Sequence, residues 1–302
     1  MLEIVMRAGS FVAIIFLGYG LKRIGFFKQE DFTILSKITI RMTLPAAIIT
    51  SFGGKQIEGS LLILAPIAMG CGSVYILLGY LLNRKKGAEE QSFSMLNLAG
   101  YNIGTFVLPF AQSFLGPVGV VATSLFDTGN SVICLGGAYS VASMVKDGSG
   151  FSLRRIGRAL VRSVPFVTYV SMLLLNLMKL PLPGFFMSCA GIVSNANAFM
   201  AMLMIGVGFQ LKGNRTQIGK IARILLIRYG LGAVWACLFY FCLPFAVEVR
   251  QALVILAVSP IGSAVPAFTG EMNGDVGLSS AINSISIMIS ILITVVLLTV
   301  ML

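Results

Sequence analysis

Asn102–Gly119, with the sequence NIGTFVLPFAQSFLGPVG, decides the fold because it returns 158 positions later, in Pro260–Gly277, as PIGSAVPAFTGEMNGDVG. Each copy places glycine and proline inside a long apolar segment. Proline-broken hydrophobic segments at matching places in two halves are typical of the binding site of a secondary transporter. The alternative is a pair of unrelated kinked helices. The positions in register are Ile103/Ile261, Gly104/Gly262, Thr105/Ser263, Val107/Val265, Phe110/Phe268, Gly116/Gly274, Val118/Val276 and Gly119/Gly277.

The composition indicates a membrane protein. The 302 residues are 57% hydrophobic and 11% charged, with a mean hydropathy of +0.94, and such a surface is not stable in water. A transmembrane helix needs roughly 20 apolar residues. We therefore predict an all-α polytopic membrane protein of ten transmembrane helices, near 4–21, 31–52, 59–82, 92–114, 117–145, 157–178, 185–211, 221–246, 251–269 and 276–301.

The repeat divides these helices into two sets of five. We predict a first five-helix repeat at 1–145, a polar cytoplasmic linker at 146–156 and a second repeat at 157–302. Five is an odd number, so the second repeat enters the membrane from the opposite side and the two repeats are inverted. Helices four and nine are the broken pair.

The orientation follows from the basic residues, because cytoplasmic loops are enriched in Lys and Arg. Loops 1–2, 3–4, 5–6 and 7–8 hold fourteen such residues, whereas the opposite face holds four, namely Arg7, Lys55, Lys179 and Arg250. We therefore predict a multi-pass protein of the cell membrane with both termini outside the cytoplasm. The net charge of +11 is then a topology signal and not a nucleic-acid footprint. The fourteen are Lys22, Arg23, Lys28, Arg84, Lys85, Lys86, Lys146, Arg154, Arg155, Arg158, Lys212, Arg215, Lys220 and Arg223.

Enzyme chemistry finds little support in the sequence. The chain has no histidine, which excludes hydrolytic triads and imidazole zinc sites. Asp127-Thr128-Gly129 resembles an aspartic-protease signature, but that chemistry needs a second carboxylate, and none lies within a predicted span. The five cysteines lie inside predicted spans without ligand-like spacing, so we expect packing residues and neither a disulfide, a metal nor a cofactor. They are Cys71, Cys134, Cys189, Cys237 and Cys242.

Several motifs resemble those of the auxin efflux carrier family, which includes the plant PIN-type exporters and many bacterial members. They are Asn102 with Pro109, the stretch Phe126-Asp127-Thr-Gly-Asn130, Pro260-x-Gly262 with Pro266 running into Glu271-Met-Asn-Gly-Asp275, Gly18-Tyr-Gly-Leu-Lys22 and Thr43-Leu-Pro45. The resemblance implies that helices four and nine cross near mid-membrane, between a scaffold part and a transport part. It also implies export or exchange of small organic anions. Two features differ from the plant carriers: loop 5–6 is short, and Arg41 matches no family motif.

The breaks in helices four and nine define the predicted substrate site. Interrupted helices leave backbone groups unpaired at membrane depth, which is tolerated only where they line a cavity or bind a ligand. The N-terminal ends of the half-helices attract an anion. The predicted binding residues beside the breaks are Asn102, Thr105, Pro109, Pro260, Ser263 and Pro266. Alternatively, their polar side chains bond neighbouring helices.

Arg41 and Asp127 each lie about ten residues into a predicted helix, roughly 15 Å deep, where charges are costly and usually functional. In one interpretation Arg41 neutralises a substrate carboxylate, while Asp127 and Asn130 handle a coupling cation. In the other, Arg41 and Asp127 form a structural ion pair. Further candidates from the second repeat are Asn195, Asn197, Asn283 and Ser284.

These predictions describe a secondary transporter that moves a small organic anion, a carboxylate or an auxin-like compound, by alternating access. The alternative is an anion-selective channel of the same fold. The expected partners are the anion and the lipid bilayer. A homodimer is compatible with the sequence, which does not set the oligomeric state.

Overall fold

The computed structural model describes residues 2–28, 30–53, 57–210 and 217–302, and these residues form helices and no strands. Three π turns, Thr39–Thr43, Ile103–Val107 and Ile133–Gly137, and the 3-10 turn Gly59–Ile63 interrupt or precede the α-helices. The helices are α1 (Leu2–Arg23), α2 (Asp31–Ile38), α3 (Leu44–Phe52), α4 (Leu64–Leu81), α5 (Ala88–Leu98), α6 (Leu108–Phe114), α7 (Gly116–Val132), α8 (Ala138–Asp147), α9 (Leu153–Arg162), α10 (Val164–Leu177), α11 (Gly184–Asn195), α12 (Asn197–Gly208), α13 (Ile218–Phe241), α14 (Val247–Ala257), α15 (Val265–Glu271) and α16 (Val276–Met301).

Seven helical stretches of the described chain are long and apolar enough to cross a membrane, and an eighth is added if the bent pair α9 and α10 counts as one. The predicted helical membrane class is thus confirmed. The predicted spans 92–114 and 251–269 are each divided into two shorter helices, α5 with α6 and α14 with α15. The count of ten spans and the inverted repeat stay predictions.

The predicted span 157–178 is bent and divided between two helices. The chain bends by 80° between α9 and α10. At the bend Ser163 is extended (φ −80°, ψ 110°) and its hydroxyl accepts a hydrogen bond from the Phe166 amide at 3.4 Å. Pro165 follows in the first turn of α10, where its ring fits a helix start and not a helix interior. The predicted linker 146–156 is also helical at both ends, since α8 continues to Asp147 and α9 begins at Leu153.

Two of the π turns immediately precede a proline. Thr39–Thr43 and Ile103–Val107 end two residues before Pro45 and Pro109, respectively. Proline has no N–H, and its ring clashes with the carbonyl four residues earlier. A turn widened to i→i−5 hydrogen bonds accommodates that ring. The prolines therefore widen their helices without stopping them.

Glycine allows the closest helix contacts. A Cβ on Gly206 of α12 would lie 2.1 Å from the Ile15 carbonyl oxygen of α1, and one on Gly129 of α7 would lie 1.9 Å from the Ala65 oxygen of α4. Small residues bring membrane helices into backbone contact in this way. Two groups of helices result. In the first, α1 packs on α12, and α3 packs on α10 and α11. In the second, α4 packs on α5 and α7, and α14 packs on α13 and α7.

Polar contacts link the basic loops to one another. Lys22 Nζ donates to the Val207 carbonyl oxygen at 2.8 Å, Lys220 pairs with Glu90 at 2.8 Å, and Arg155 pairs with Glu271 at 2.5 Å. Lys146 Nζ donates to the Met272 carbonyl oxygen. Loops predicted to share one membrane face are thus in contact, although which face this is stays a prediction. Lys55, Lys212 and Arg215 lie outside the described residues.

Candidate functional site

The breaks in the two divided segments meet each other. Helix α5 ends at Leu98 and helix α14 at Ala257. Residues 99–102 and 258–264 are not helical. The backbone amide of Asn102 donates to the Pro260 carbonyl oxygen at 2.9 Å, which joins the breaks directly. Residues 99–102 and 258–262 are buried, so their backbone groups need partners from the protein.

Arg228 of α13 supplies partners for the carbonyl groups. Its side chain is 1% exposed, and its guanidinium donates to the carbonyl oxygens of Leu98 at 2.6 Å, Ser259 at 3.0 Å and Pro260 at 3.0 Å. The guanidinium carbon also lies 5.3 Å and 5.1 Å from the ring centres of Tyr75 and Tyr101, within cation–π range. One arginine thus caps the C-terminal ends of α5 and α14 together.

Asparagine and serine side chains bond further backbone groups of both breaks. Asn130 accepts from the Tyr101 amide at 3.0 Å and donates to the Tyr101 carbonyl oxygen at 2.9 Å. On the other break, Asn283 donates to the Ile261 carbonyl oxygen at 3.0 Å, and the Ser286 hydroxyl accepts from the Ile261 amide at 3.2 Å. Side chains of α7 and α16 therefore replace hydrogen bonds that the backbone of an intact helix would form within itself.

A cavity of about 140 Å³ lies beside the breaks. Five of the predicted site residues line it together, namely Asn102, Thr105, Asp127, Asn130 and Ser263. Its remaining wall includes Ile40, Leu44, Ser163 and Pro165, which belong to the helices around α3 and α10. The cavity therefore lies between the two helix groups.

The donors at this cavity are arranged around Asn102. Thr105 Oγ1 donates to Asn102 Oδ1 at 2.5 Å, so the hydroxyl proton of Thr105 is used and the Asn102 amide group is held in orientation. Asn102 Nδ2 and Ser263 Oγ form no hydrogen bond to any described residue. Two neutral donors are thus available to a ligand.

Asp127 lies at the same cavity and is 8% exposed. Its Oδ1 accepts from Asn130 Nδ2 at 2.9 Å, and its Oδ2 accepts from the Tyr169 hydroxyl at 2.9 Å. Within the described ranges no Lys or Arg pairs with this carboxyl group. Asp127 is therefore held by neutral donors on both oxygens.

The predicted Arg41–Asp127 ion pair is absent from the described residues. Arg41 is exposed and lies in the π turn Thr39–Thr43, while its neighbour Ile40 turns toward the cavity. Since Arg41 is exposed and Asp127 is buried at the cavity, the two side chains do not pair. A substrate-binding role for Arg41 stays a prediction with no contact in its support.

The three predicted prolines do not line the cavity, although each is close in sequence to a residue that does. Pro109 and Pro266 begin α6 and α15, and Pro260 contributes its carbonyl oxygen to both Asn102 and Arg228. Their part is to shape the breaks.

The further candidates from the second repeat also lie outside the cavity wall. Asn197 bonds Thr43 and Gln112, both at 3.0 Å, and the Ser284 hydroxyl accepts from the Gln210 amide at 3.1 Å. The expectation that all cysteines pack inside the protein is wrong for three of them: Cys71 is buried and Cys134 partly so, but the others, Cys189, Cys237 and Cys242, are exposed. In a membrane these exposed thiols face apolar lipid at no great cost.

Arg228 and Tyr169 were not predicted. Arg228 lies inside the predicted span 221–246, and the rule that a charge within a membrane helix is functional by default would have selected it. No local pattern marks Tyr169, since its role depends on a contact with a residue 42 positions away.

Comparison with known proteins decides the class to which this site belongs. Residues 5–146 match the model of a family described as Membrane transport protein. Over this stretch the chain is similar to members of that family. The match covers almost all of the first predicted repeat and confirms the predicted resemblance to the auxin efflux carriers.

A second similarity extends over nearly the whole chain. An uncharacterized transporter from Methanothermobacter thermautotrophicus is 25% identical over 276 residues, which cover 90% of each chain. Together with the apolar helices, these matches identify a multi-pass membrane transporter, a class of protein that is generally not enzymatic.

Proposed function

We propose that the protein is a secondary transporter that moves a small organic anion across the cell membrane by alternating access, with the cavity between the two breaks as its binding site. The observation that carries the proposal is the pair of unpartnered donors at this cavity, Asn102 Nδ2 and Ser263 Oγ. Asn102 is buried and Ser263 is exposed, and both donors can bind an acceptor that enters the cavity. A ligand with acceptor oxygens, such as a carboxylate, supplies what these donors lack.

The helix ends around the cavity favour a negative ligand. The segment Ile103–Val107 and helix α15 begin beside it, and first-turn N–H groups carry partial positive charge and have no intrahelical acceptor. The opposite, negative ends at Leu98 and Ser259 are occupied by Arg228. The unneutralised ends of the broken helices are therefore the positive ones.

The size of the cavity favours a small carboxylate over an auxin-like compound. Pockets for drug-sized ligands are about 300–1,000 Å³, whereas this cavity measures about 140 Å³, room for roughly five water molecules. An aromatic ligand would need the cavity to widen. We therefore place short mono- and dicarboxylates first among the substrates.

The arrangement of the helices supports alternating access. Within the predicted inverted repeats, α1 of the first repeat packs on α12 of the second, and α10 of the second packs on α3 of the first. These two contacts exchange under the proposed pseudo-twofold axis, as in transporters built from inverted repeats. Because the cavity wall draws on both helix groups, a movement of one group against the other would open it to one side and then the other.

Asp127 is the proposed coupling site. It is a buried carboxyl group, held by Asn130 and Tyr169, at the wall of the same cavity. A carboxyl group held by neutral partners can bind or release a cation when a substrate anion arrives. We propose that its cation, a proton or a metal ion, travels with the anion.

The test is binding followed by exchange. Purified protein should melt at a higher temperature with a short mono- or dicarboxylate than with the corresponding amide, since a ligand of the folded state raises its stability. The best ligand should then exchange, labelled against unlabelled, across proteoliposomes. Ohmic currents above carrier turnover would indicate a channel instead, and binding of the amides alone would exclude the anion.

A further inference from the structure

Helix α9 (Leu153–Arg162) separates basic from apolar side chains more sharply than any transmembrane helix of the chain. Its sequence is LRRIGRALVR, with four arginines and no acidic residue. At 100° per residue the arginines occupy one face, Leu153, Ile156 and Leu160 occupy the opposite one, and Val161 lies at the boundary beside Arg154. The 80° bend at Ser163 turns this helix away from the direction of α10.

The apolar face of α9 is only partly covered by protein. Ile156 is 5% exposed and meets Gly136 of the π turn Ile133–Gly137, whereas Leu153 and Val161 are 74% and 75% exposed. A helix that is apolar on one face, basic on the other and steeply bent from a membrane span is typical of one lying in the bilayer interface. Leu153 and Val161 would then contact acyl chains.

Arg155 fixes the rotation of α9 about its axis. Its guanidinium lies 3.8 Å above the Tyr139 ring centre and pairs with Glu271 of α15 at 2.5 Å. The other three arginines are all exposed.

Arg154, Arg158 and Arg162 form a row along α9, each four residues after the last. We call these three residues the arginine row. They form no hydrogen bond or ion pair with any described residue. Like charges four apart on a helix repel one another, and positive charge in the first turn opposes the helix dipole. Nothing within the described chain compensates this row, so its charge is open to an anionic partner.

We propose that the arginine row binds the headgroups of anionic phospholipids. The phosphates of a membrane surface lie at the level of an interfacial helix, and guanidinium groups bind phosphate with charge-assisted hydrogen bonds. The partner is thus the anionic leaflet into which Leu153 and Val161 dip. Because the bend residue Ser163 also lines the central cavity, the lipid-binding helix is joined directly to the cavity wall.

The test uses the full-length protein in a neutral detergent, titrated with dioctanoyl phosphatidylglycerol or dioctanoyl phosphatidylcholine. The melting temperature should rise with the anionic lipid only, and added salt should weaken the effect. In the triple variant Arg154→Gln, Arg158→Gln, Arg162→Gln the lipid concentration for half the effect should rise roughly a hundredfold, as expected for the loss of three interfacial charges.

Two matched variants separate lipid binding from folding and from general charge. Replacing the other three-residue basic cluster, Arg84→Gln, Lys85→Gln, Lys86→Gln, should leave the lipid effect unchanged. Replacing the arginine row by lysines should retain most of it. Without lipid, the triple glutamine variant should melt no lower than the wild type, because like-charge repulsion is removed.

Five results would overturn the proposal. These are an equal effect of phosphatidylcholine, an unchanged lipid response in the triple glutamine variant, and the same rise in melting temperature with glycerol phosphate, which would indicate a soluble anion. The fourth is a triple glutamine variant that melts lower without lipid, which would make the row structural. A response to polyglutamate but not to the lipid would point to an acidic protein partner and equally contradict the assignment.

Discussion

Arg228 is a fully buried arginine whose described partners are carbonyl oxygens and aromatic rings, not a carboxylate. A helix C-terminus carries roughly half a negative charge. Two of them, those of α5 and α14, therefore balance one guanidinium. This explains how a single arginine is tolerated at the centre of a membrane protein without an acidic partner, where an uncompensated charge would be expelled.

Replacing Arg228 by methionine should destabilise the fold. The change leaves the buried carbonyl oxygens of Leu98 and Ser259 without donors, while that of Pro260 keeps the Asn102 backbone amide. Each unsatisfied group costs about 1–3 kcal/mol, so we expect a loss of about 2 kcal/mol or more. Thermal or denaturant unfolding in detergent measures it. Arg223→Met in the same helix is the matched control, since Arg223 donates to one carbonyl oxygen only, that of Leu82. Equal losses in the two variants would contradict the capping role.

Arg41 and Asp127 should behave as independent residues. They do not pair, so a double-mutant cycle with Arg41→Gln and Asp127→Asn should give a coupling energy below about 0.5 kcal/mol. The measurement is the free energy of unfolding of the wild type, both single variants and the double variant. A coupling of about 3 kcal/mol, as for a broken buried ion pair, would restore the ion-pair interpretation.

At the scale of elements, the breaks depend on backbone geometry as much as on proline. In the first break, Gly100 has φ +77°, and a Cβ at this position would lie 2.5 Å from Cys134 Sγ. Glycine is needed here for two reasons, because a left-handed conformation disfavours other residues and because π-turn residues of the α7–α8 segment pack against it.

Gly100→Ala should therefore cost more than backbone strain alone. Gly148→Ala isolates the strain, since Gly148 also has positive φ (+69°) but open space around it. We expect this variant to lose about 1–2 kcal/mol of free energy of unfolding. Gly100→Ala should lose clearly more, and the added change Cys134→Ala should return the melting temperature toward that of the strain-only variant. An unchanged melting temperature in Gly100→Ala would show that the break does not require this conformation.

The positions of the breaks could be predicted from sequence, but their partners could not. Glycine and proline in an apolar segment are local signals, so the sequence predicts the breaks at 99–102 and 258–264 to within a few residues. The groups that satisfy these breaks are distant in the chain: Asn130 is 29 residues from Tyr101, and Arg228 is 130 from Leu98. The bend at Ser163 was missed because α9 and α10 together have the length and apolarity of one straight span.

At the scale of the whole molecule, the contacts among the basic loops give the predicted orientation a simple test. Single cysteines in a Cys-free background, placed at loops 1–2, 3–4, 5–6 and 7–8, should be shielded from an impermeant thiol reagent added to intact cells. A cysteine near Lys179 on the opposite face should react. Labelling of the 5–6 loop from outside would reverse the orientation, and the positive-inside argument would fail.

The central claim is that the cavity between the two breaks is the transport site, and Asn102→Ala tests it most directly. The change removes the donor Nδ2 and the acceptor of Thr105, while the backbone bond from Asn102 to Pro260 can persist. Proteoliposomes with wild type should exchange the best carboxylate ligand. Asn102→Ala should insert and melt as a folded protein, with exchange reduced at least tenfold, about the loss of one donor at 1.4 kcal/mol. Exchange at the wild-type rate in this folded variant would contradict the account and place the substrate elsewhere.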